Sequence, residues 1–543
     1  MAYRVHAPPT FLLVGYDPHR DLPKDHLVRM VEMVVEQADL PRANHCIPGQ
    51  PAFDPKLLAK VIIYSYATGQ RSSRQMERLC SESLDYLFLT RGDTPCYRTL
   101  CSFRVKYKTY FDAIWLNLFG IGNECGLKRM GRIAIDSSKF RADASSESVV
   151  KEIDYQLVLA ELKHILDEAE ATDKQEEIDP PGQTLTGMDI ESDHMREILR
   201  RVSNSNRQLK AANTKKKTAS SNIDILPANL KADIAETTAE IDTEQPRQRR
   251  GRRKKRLGKQ MRPRIEKAIK TLEAAIANGD KHACLTDPDA RMMKEGREKK
   301  VLECHSYEVV VDSDSGLIVA GQSSQSPVDN PRLELLFDAA KLNEPGGITH
   351  VDADSGYYSG DAVGRLLSEG IDTCIPDSNT AGDIHRGQAV GTVRSKSVGA
   401  VPLVYDPEAD CYRCPENNRL LPTQHRKDGG QELKVYRAEN SCIDCPLAKN
   451  CLTQANAKYR TVRRGDYTDI LEEARQRFAE PEHQDRYHHR GEAIETIFGF
   501  IRGALGYRRW QVRGKDRVAA EATLFTTAYQ LRKVHVQWAA TIG

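Results

Sequence analysis

The sequence predicts an α/β protein with a mixed sheet, a helical N-terminal domain and two insertions that interrupt the sheet. Three observations predict this class. Helical periodicity fills the first 125 residues, strand and helix patterns alternate between residues 281 and 376, and a polar stretch and a cysteine-rich stretch separate these patterns from the next core segment. A chain of 543 residues is too long for one simple core, so several structural units are expected.

The patterns divide the chain into segments. They are a helical N-terminal domain (1–125), an α/β core (126–145, 281–376 and 466–543), a helical and partly flexible basic insertion (146–280) and a cysteine-rich, zinc-ribbon-like insertion (377–465).

Composition and charge restrict the class of protein further. Hydrophobic residues make up 39% and charged residues 29% of the chain, and no apolar run approaches the ~20 residues that cross a bilayer. The start at Met1 lacks the charged-then-apolar pattern of a signal peptide. We therefore expect a cytoplasmic protein with no membrane partner. An odd count of 13 cysteines argues against a disulfide framework.

The N-terminal domain shows a pattern that is typical of helical DNA readers. Leu57, Val61 and Ile62 follow Pro55 at helical spacing, which predicts a buried helix with proline in its first turn. Residues 99–108 form a basic amphipathic stretch, the pattern of a final helix that contacts DNA. A small helical domain without a DNA role is the alternative.

The helical insertion carries a basic run between two stretches of helical periodicity. Within residues 247–256 this run includes Arg252, Arg253, Lys254 and Lys255. Such a run binds phosphate backbones by counterion release, so we expect a DNA contact. The alternative, a solvated linker, is compatible with it.

The core segments present three acids at positions that suit catalysis. Asp136 and Asp354 each close a short apolar strand, and Glu495 lies beside the apolar stripe of a later amphipathic helix. Two Mg²⁺ ions about 3.5–4 Å apart can stabilise phosphodiester cleavage, and Mg²⁺ prefers carboxylate ligands. A single acid at a strand end is more often a turn residue, so the interpretation depends on all three.

The sequence around these acids resembles the DDE transposases of bacterial insertion sequences. The resemblance is to the branch that has a helical N-terminal domain and a cysteine-bearing insertion before the last acid. Residues 53–74 resemble its opening domain, residues 135–140 its first catalytic block, and residues 354–357 its second, usually written Asp-Ala-Gly-Tyr.

The third block is the most specific. Tyr487, Arg490, Glu495 and Arg502 match the family's Tyr-Arg-Glu-Lys signature, with arginine where lysine is commoner. Glu492 is a rival to Glu495, although the Glu-x-x-Phe-Gly pattern favours Glu495.

The resemblance implies a ribonuclease-H-like core in which Asp136, Asp354 and Glu495 bind two Mg²⁺ or Mn²⁺ ions. It implies that water first cleaves the element's end and that the freed 3′-hydroxyl then attacks target DNA. The implied partners are double-stranded DNA, both terminal inverted repeats and target, and a second copy of the chain. Both the resemblance and their charge predict that Arg490 and Arg502 contact DNA. Tyr487 would stack on or bond to the same DNA, and simple helix packing is the alternative for this residue.

Two residues near Asp354 receive lesser roles. Asp352 is expected to support Asp354 from the same strand face, and His350 is expected to be structural.

The cysteine-rich insertion predicts a structural zinc site. Cys411-x-x-Cys414 and Cys442-x-x-Cys445 each place two thiolates within reach of one tetrahedral ion. Cys451 is a fifth cysteine that could replace one of the four. Reduced thiols without a metal are the alternative.

Three other functions stay open at this point. A nuclease or integrase of the same fold would carry the same acids, and flanking inverted repeats would separate it from a transposase. A catalytically inactive or domesticated DNA-binding protein would lack cleavage. A zinc-braced scaffold would leave the acids as a coincidence.

Overall fold

The computed structural model describes residues 18–38, 52–178, 261–295, 300–344, 346–386, 401, 403–428, 431–452 and 457–542. The chain divides into two compact units, Met1–Ala142 with Met293–Gly543, and Asp143–Met292. The basic run that holds Arg252, Arg253, Lys254 and Lys255 lies outside the described residues. No helix in the described ranges is both long enough and apolar enough to cross a membrane.

Helices fill the described part of the N-terminal region. They are α1 (Pro18–Asp21), α2 (Leu27–Gln37), α3 (Pro55–Ala67), α4 (Ser73–Glu82), α5 (Leu84–Thr90), α6 (Tyr97–Lys106) and α7 (Lys108–Glu124). α3 begins where the sequence predicts, because Asp54 accepts a hydrogen bond from the backbone N–H of Lys56 (2.9 Å) and Pro55 occupies the first turn. Every residue of α3 from Leu57 to Ala67 is buried.

A mixed sheet forms the centre of the first unit, as the sequence predicts. Its strands are β1 (Arg132–Arg141), β4 (Arg291–Glu295), β5 (Lys300–Asp312), β6 (Ile318–Ser324), β7 (His350–Ala353) and β8 (Asp372–Cys374). Their order is β4-β5-β1-β7-β8, and β6 pairs with β5. β1, β5 and β6 are antiparallel neighbours, whereas β7 runs parallel to β1 and β8 runs parallel to β7.

The long antiparallel partner corrects one expectation about β1. The sequence predicts that the strand ends at Asp136, but β1 continues to Arg141 because β5 pairs with it as far as Cys304. Pairing with β7 stops earlier, at Ile135, which lies opposite Ala353. Asp136 therefore lies within β1, at the first position after the pairing with β7 ends.

Helices from the second half of the chain complete the first unit. They are α10 (Leu333–Lys341), α11 (Gly360–Ser368), α12 (Ser378–His385), α14 (Thr468–Arg477), α15 (Pro481–Gly499) and α16 (Lys515–Ile542). α15 packs on β1 and β7 and continues into a π-helical turn, Phe500–Ala504. α16 packs on β6, α3 and α7 and buries an almost continuous run of side chains. In this core Trp510 stacks on Phe525, with ring centroids 5.0 Å apart.

The cysteine-rich segment contains a five-stranded sheet. Its strands are β9 (Val404–Asp406), β10 (Cys411–Arg413), β11 (Arg419–Asp428), β12 (Gln431–Ala438) and β13 (Thr461–Arg464), and a short helix, α13 (Ala448–Cys451), precedes β13. The order β13-β12-β11-β10-β9 is antiparallel throughout. Period-two alternation fails to reveal these strands because β9 and β10 are very short and β11 is largely polar.

The second unit is a helical hairpin with a short ribbon. α8 (Tyr155–Ile178) and α9 (Met261–Asn278) pack together, and β2 (Val149–Lys151) pairs antiparallel with β3 (His282–Cys284). Val158, Leu162, Ile265 and Leu272 belong to its small buried core.

Candidate active site

The parallel pairing of β1 and β7 brings two of the three expected acids together. The last aligned pair of the two strands is Ile135 and Ala353, and the residues that follow them in the chain are Asp136 and Asp354, respectively. Each carboxylate also accepts a hydrogen bond from the next backbone N–H. That of Ser137 lies 2.7 Å from Asp136 Oδ1, and that of Ser355 lies 2.6 Å from Asp354 Oδ1. The backbone thus helps to orient both acids at one edge of the sheet.

Electrostatics disfavour a negative charge on Asp136. Burial, together with the nearby carboxylates of Asp354 and Asp329, raises the pKa of Asp136 to about 6. The Ser137 N–H and the Arg490 guanidinium lower this pKa in part. Carboxylates that repel one another at one edge of the sheet gain stability when a cation binds between them, so the chemistry of these donors suits a divalent ion.

Asp329 is an additional acid at this edge that the sequence analysis missed. Its Oδ1 accepts hydrogen bonds from Ser137 Oγ (2.9 Å) and Lys139 Nζ (2.7 Å). Lys139 also donates to Ser306 Oγ at 3.1 Å. Asp329 comes from the connection between β6 and α10, and the turn-forming sequence around it is its only local signal.

Helix α15 adds Tyr487 and Arg490 to the acids. Tyr487 donates its hydroxyl to Asp354 Oδ1 at 3.3 Å, and the Arg490 guanidinium carbon lies 4.9 Å from the centre of the Tyr487 ring. Burial, together with Asp354, raises the pKa of Tyr487 to about 12, which keeps it a hydrogen-bond donor. The buried Nε and Nη1 of Arg490 have no hydrogen-bond partner within the described residues.

Glu495 and its rival Glu492 are both exposed on α15. At about 100° per residue, Glu495 lies about 80° around the helix from Tyr487, and Glu492 lies about 140° away. Glu495 is thus closer to the face that meets the acids. In the described ranges no group of three or more His, Cys, Asp or Glu side chains is arranged to hold a metal ion. The structure therefore brings Asp136 and Asp354 together and leaves Glu495 on the exposed flank of the neighbouring helix.

Arg486 ties α15 to the sheet beneath it, another role the sequence analysis missed. Its Nε donates to Asp352 Oδ1 at 2.8 Å, its Nη2 donates to the same oxygen, and its Nη1 donates to Asp372 Oδ2 at 2.5 Å. Arg477 donates to the other oxygen of Asp372 at 2.9 Å. Burial raises the pKa of Asp352, and Arg486 lowers it in part. Asp352 therefore positions α15, while His350 lies 3.8 Å from Asp372.

Arg502 holds the protein's own backbone. In the π-helical turn after α15, its Nη2 donates to the carbonyl oxygen of Lys139 at 2.5 Å. Its guanidinium carbon lies 4.6 Å from the centre of the Phe140 ring. Arg502 thus fastens the part of β1 that follows Asp136.

The cysteines of the second sheet share a separate cavity of about 350 Å³. Its lining includes Cys414, Cys442, Cys445 and Cys451, whereas Cys411 is buried on β10 and is absent from the lining. Burial raises the pKa of Cys451, and the Arg460 guanidinium lowers it.

Comparison with known families gives the class of the protein. A family model described as Transposase domain (DUF772) matches residues 17–106, which include most of the N-terminal helices. A model described as Transposase DDE domain matches residues 413–535, which include α15 and Glu495, whereas Asp136 and Asp354 precede the match. No curated protein matches the chain.

Both descriptions define the same class of protein, a transposase. More narrowly, the two matches together indicate an insertion-sequence DDE transposase, as the resemblance of its motifs predicts.

Proposed function

We propose that this transposase cuts the ends of its element and joins them to target DNA, using divalent ions held by Asp136, Asp354 and Glu495. The observation that carries the proposal is the placement of Asp136 and Asp354 side by side at the end of the β1–β7 pairing. Three antiparallel strands followed by two parallel strands also support a ribonuclease-H-like core.

Two Mg²⁺ or Mn²⁺ ions, when bound, would offset the charge that develops on the phosphorus oxygens. The chain's own residues would hold and orient them. Asp136 and Asp354 supply hard oxygen ligands whose direction is set by backbone N–H groups. Tyr487 orients Asp354 through its hydroxyl. Glu495 would complete the set through a change of its side-chain rotamer or a shift of α15 when DNA binds.

Arg490 is the best-supported DNA contact in this proposal. Two of its buried nitrogens lack a hydrogen-bond partner in the described part of the chain. Its positive charge also lies close enough to Asp136 to lower the pKa of that carboxyl. A phosphate oxygen would satisfy these donors. Arg502, which holds the Lys139 carbonyl, would shape the DNA path indirectly. The basic run at Arg252, Arg253, Lys254 and Lys255 remains a proposed nonspecific DNA contact.

Two further features belong to the proposal. Because the two ends of an element must be processed together, we propose that the protein acts as a homodimer on DNA. A structural Zn²⁺ in the cysteine-bearing sheet is the second proposed metal, and it would stabilise that sheet without taking part in the chemistry.

The decisive experiment is cleavage of a labelled DNA that carries the element's own end, with Mg²⁺ or with EDTA. Wild-type protein is expected to cut only with Mg²⁺, and Asp354→Asn is expected to bind the same DNA without cutting it. Glu495→Gln and Glu492→Gln form a matched pair of exposed acids on α15, and only the first is expected to abolish cleavage. Equal cleavage by Asp354→Asn and wild type would refute the catalytic assignment and favour a catalytically inactive DNA-binding protein.

A further inference from the structure

The strand β10 separates the two cysteines that the sequence pairs. Cys411 is the first residue of β10, whereas Cys414 lies just beyond the end of the strand, where the chain enters a turn. Cys411 is completely buried beside the ladder with β9, whereas Cys414 lines the cavity. The Cys-x-x-Cys spacing at this point therefore does not place two sulfurs on one side.

Turns direct the other cysteines toward the cavity. After Cys414 the chain reverses, with the Asn417 N–H donating to the Cys414 carbonyl at 2.9 Å and the Asn418 N–H donating to the Cys414 sulfur at 3.3 Å. The second reversal brings the Cys445 N–H to within 3.4 Å of the Cys442 carbonyl. N–H donors to sulfur stabilise a thiolate, as they do in metal-binding turns.

Cys451 provides the fourth sulfur. It is the last residue of α13, is 7% exposed, and lines the same cavity as Cys414, Cys442 and Cys445. The four cysteines come from the end of β10, the turn after β12, and α13, so a bond to a shared ion would join three separate elements.

An arginine beside these sulfurs is an independent observation that points to an anionic centre. Arg460 lines the cavity, and its buried Nε and Nη1 have no hydrogen-bond partner among the described residues. Buried N–H groups without an acceptor are costly. Four thiolates around a divalent ion carry a net charge of −2 and would compensate the positive charge of Arg460.

We propose that Cys414, Cys442, Cys445 and Cys451 bind one structural Zn²⁺ and that Cys411 takes no part. The thiols share a cavity but are not yet gathered around one point, so binding requires side-chain rotation. Each thiol loses its proton as its sulfur bonds to the ion, and no electron is transferred. Thiolate sulfur favours Zn²⁺ over Mg²⁺, so this site would be chemically distinct from the acids.

The metal would stabilise a sheet with little apolar core. The buried residues that pack within the sheet are Tyr412, Leu420, Tyr436, Ala438 and Cys442. A bound Zn²⁺ stabilises only the folded state, so it would add to the stability that this small core provides.

The test compares two buried cysteines, one that the proposal makes a zinc ligand and one that it excludes. Full-length wild type, Cys451→Ser and Cys411→Ser are purified with Zn²⁺, and the bound zinc is measured by atomic emission. About one equivalent is expected for wild type and for Cys411→Ser, and less than about one tenth of that for Cys451→Ser. Zinc lost from Cys411→Ser and retained by Cys451→Ser would overturn the ligand set, and a zinc-free wild type would overturn the site.

A second measurement needs no variant and covers the case in which Cys451→Ser fails to fold. Wild-type protein is alkylated under native conditions before and after zinc removal with EDTA, and each cysteine is located by mass spectrometry. Cys414, Cys442, Cys445 and Cys451 are expected to become reactive on zinc removal, whereas Cys411 stays protected by burial. Unchanged reactivity of these four cysteines would contradict the proposal.

Discussion

Arg486 offers a direct test of how the fold positions the helix that carries Glu495. Arg486→Gln would leave Asp352, which is 6% exposed, without its positive partner. Removing one partner of a buried ion pair costs about 3–5 kcal/mol. Because the Arg486 side chain is itself 23% exposed, solvent reduces this value, and we expect a loss of about 2–3 kcal/mol in the free energy of unfolding.

The matched control is Arg477→Gln. Arg477 contacts the same Asp372, but its side chain is 37% exposed and no hydrogen bond joins it to Asp352 in the described contacts. An exposed pair of this kind contributes about 0.2–1 kcal/mol. Urea unfolding of both variants should therefore separate them clearly. Adding Asp352→Asn to Arg486→Gln should restore about half of the loss, because the buried charge is then removed as well.

A purely stabilising role for Arg486 and a positioning role differ in the cleavage assay. If Arg486 sets the position of α15, the variant at a temperature where it remains folded should need a several-fold higher Mg²⁺ concentration for half-maximal cleavage. Arg477→Gln should keep the wild-type requirement. Equal stability losses in the two arginine variants, or an unchanged Mg²⁺ requirement in Arg486→Gln, would refute the reasoning.

Three smaller predictions concern other parts of the first unit. Burial raises the pKa of Glu344 from 4.5 to about 7, so the folded state loses stability as pH rises through this range. The free energy of unfolding of Glu344→Gln, measured in urea, should therefore exceed that of wild type by about 2–3 kcal/mol at pH 8 but by less than ~1 kcal/mol at pH 5. Tyr487→Phe removes the hydrogen bond to Asp354, so half-maximal cleavage should require a several-fold higher Mg²⁺ concentration. The free energy of unfolding of this variant should change by less than about 1 kcal/mol. Gly364→Ala would place a Cβ 2.4 Å from the Tyr467 side chain. Thermal unfolding should therefore show that the free energy of unfolding falls by about 1–3 kcal/mol, although alanine has the better helix propensity.

The sequence predicts the acids better than it predicts the residues that support them. Asp136 and Asp354 follow short apolar runs, a local pattern that reveals a strand and the acid beside it. Asp329 and Arg486 have no such pattern. Asp329 meets Ser137 across 192 positions in the chain, and Arg486 meets Asp352 across 134, so their roles exist only after the sheet has formed.

The cysteines show a different limit of sequence reasoning. Spacing alone treats Cys411 and Cys414 as one metal-binding turn, because it carries no information about which residues are extended. The presence of β10 changes the side of the chain on which Cys411 lies. The pair Cys442 and Cys445, which lies in a turn, is the one for which spacing and geometry agree.

Arg490 and Arg460 share a property that links the two sites. Each is a partly buried arginine with two buried nitrogens that no protein acceptor satisfies in the described ranges, and each lies next to residues that we propose to bind ions. Buried donors are normally paired, because an unpaired one costs about 1–3 kcal/mol. Each of these arginines would be satisfied by an anionic group that forms or arrives only when a ligand binds. For Arg490 that anion would be a DNA phosphate, and for Arg460 it would be the thiolate cluster formed when zinc binds.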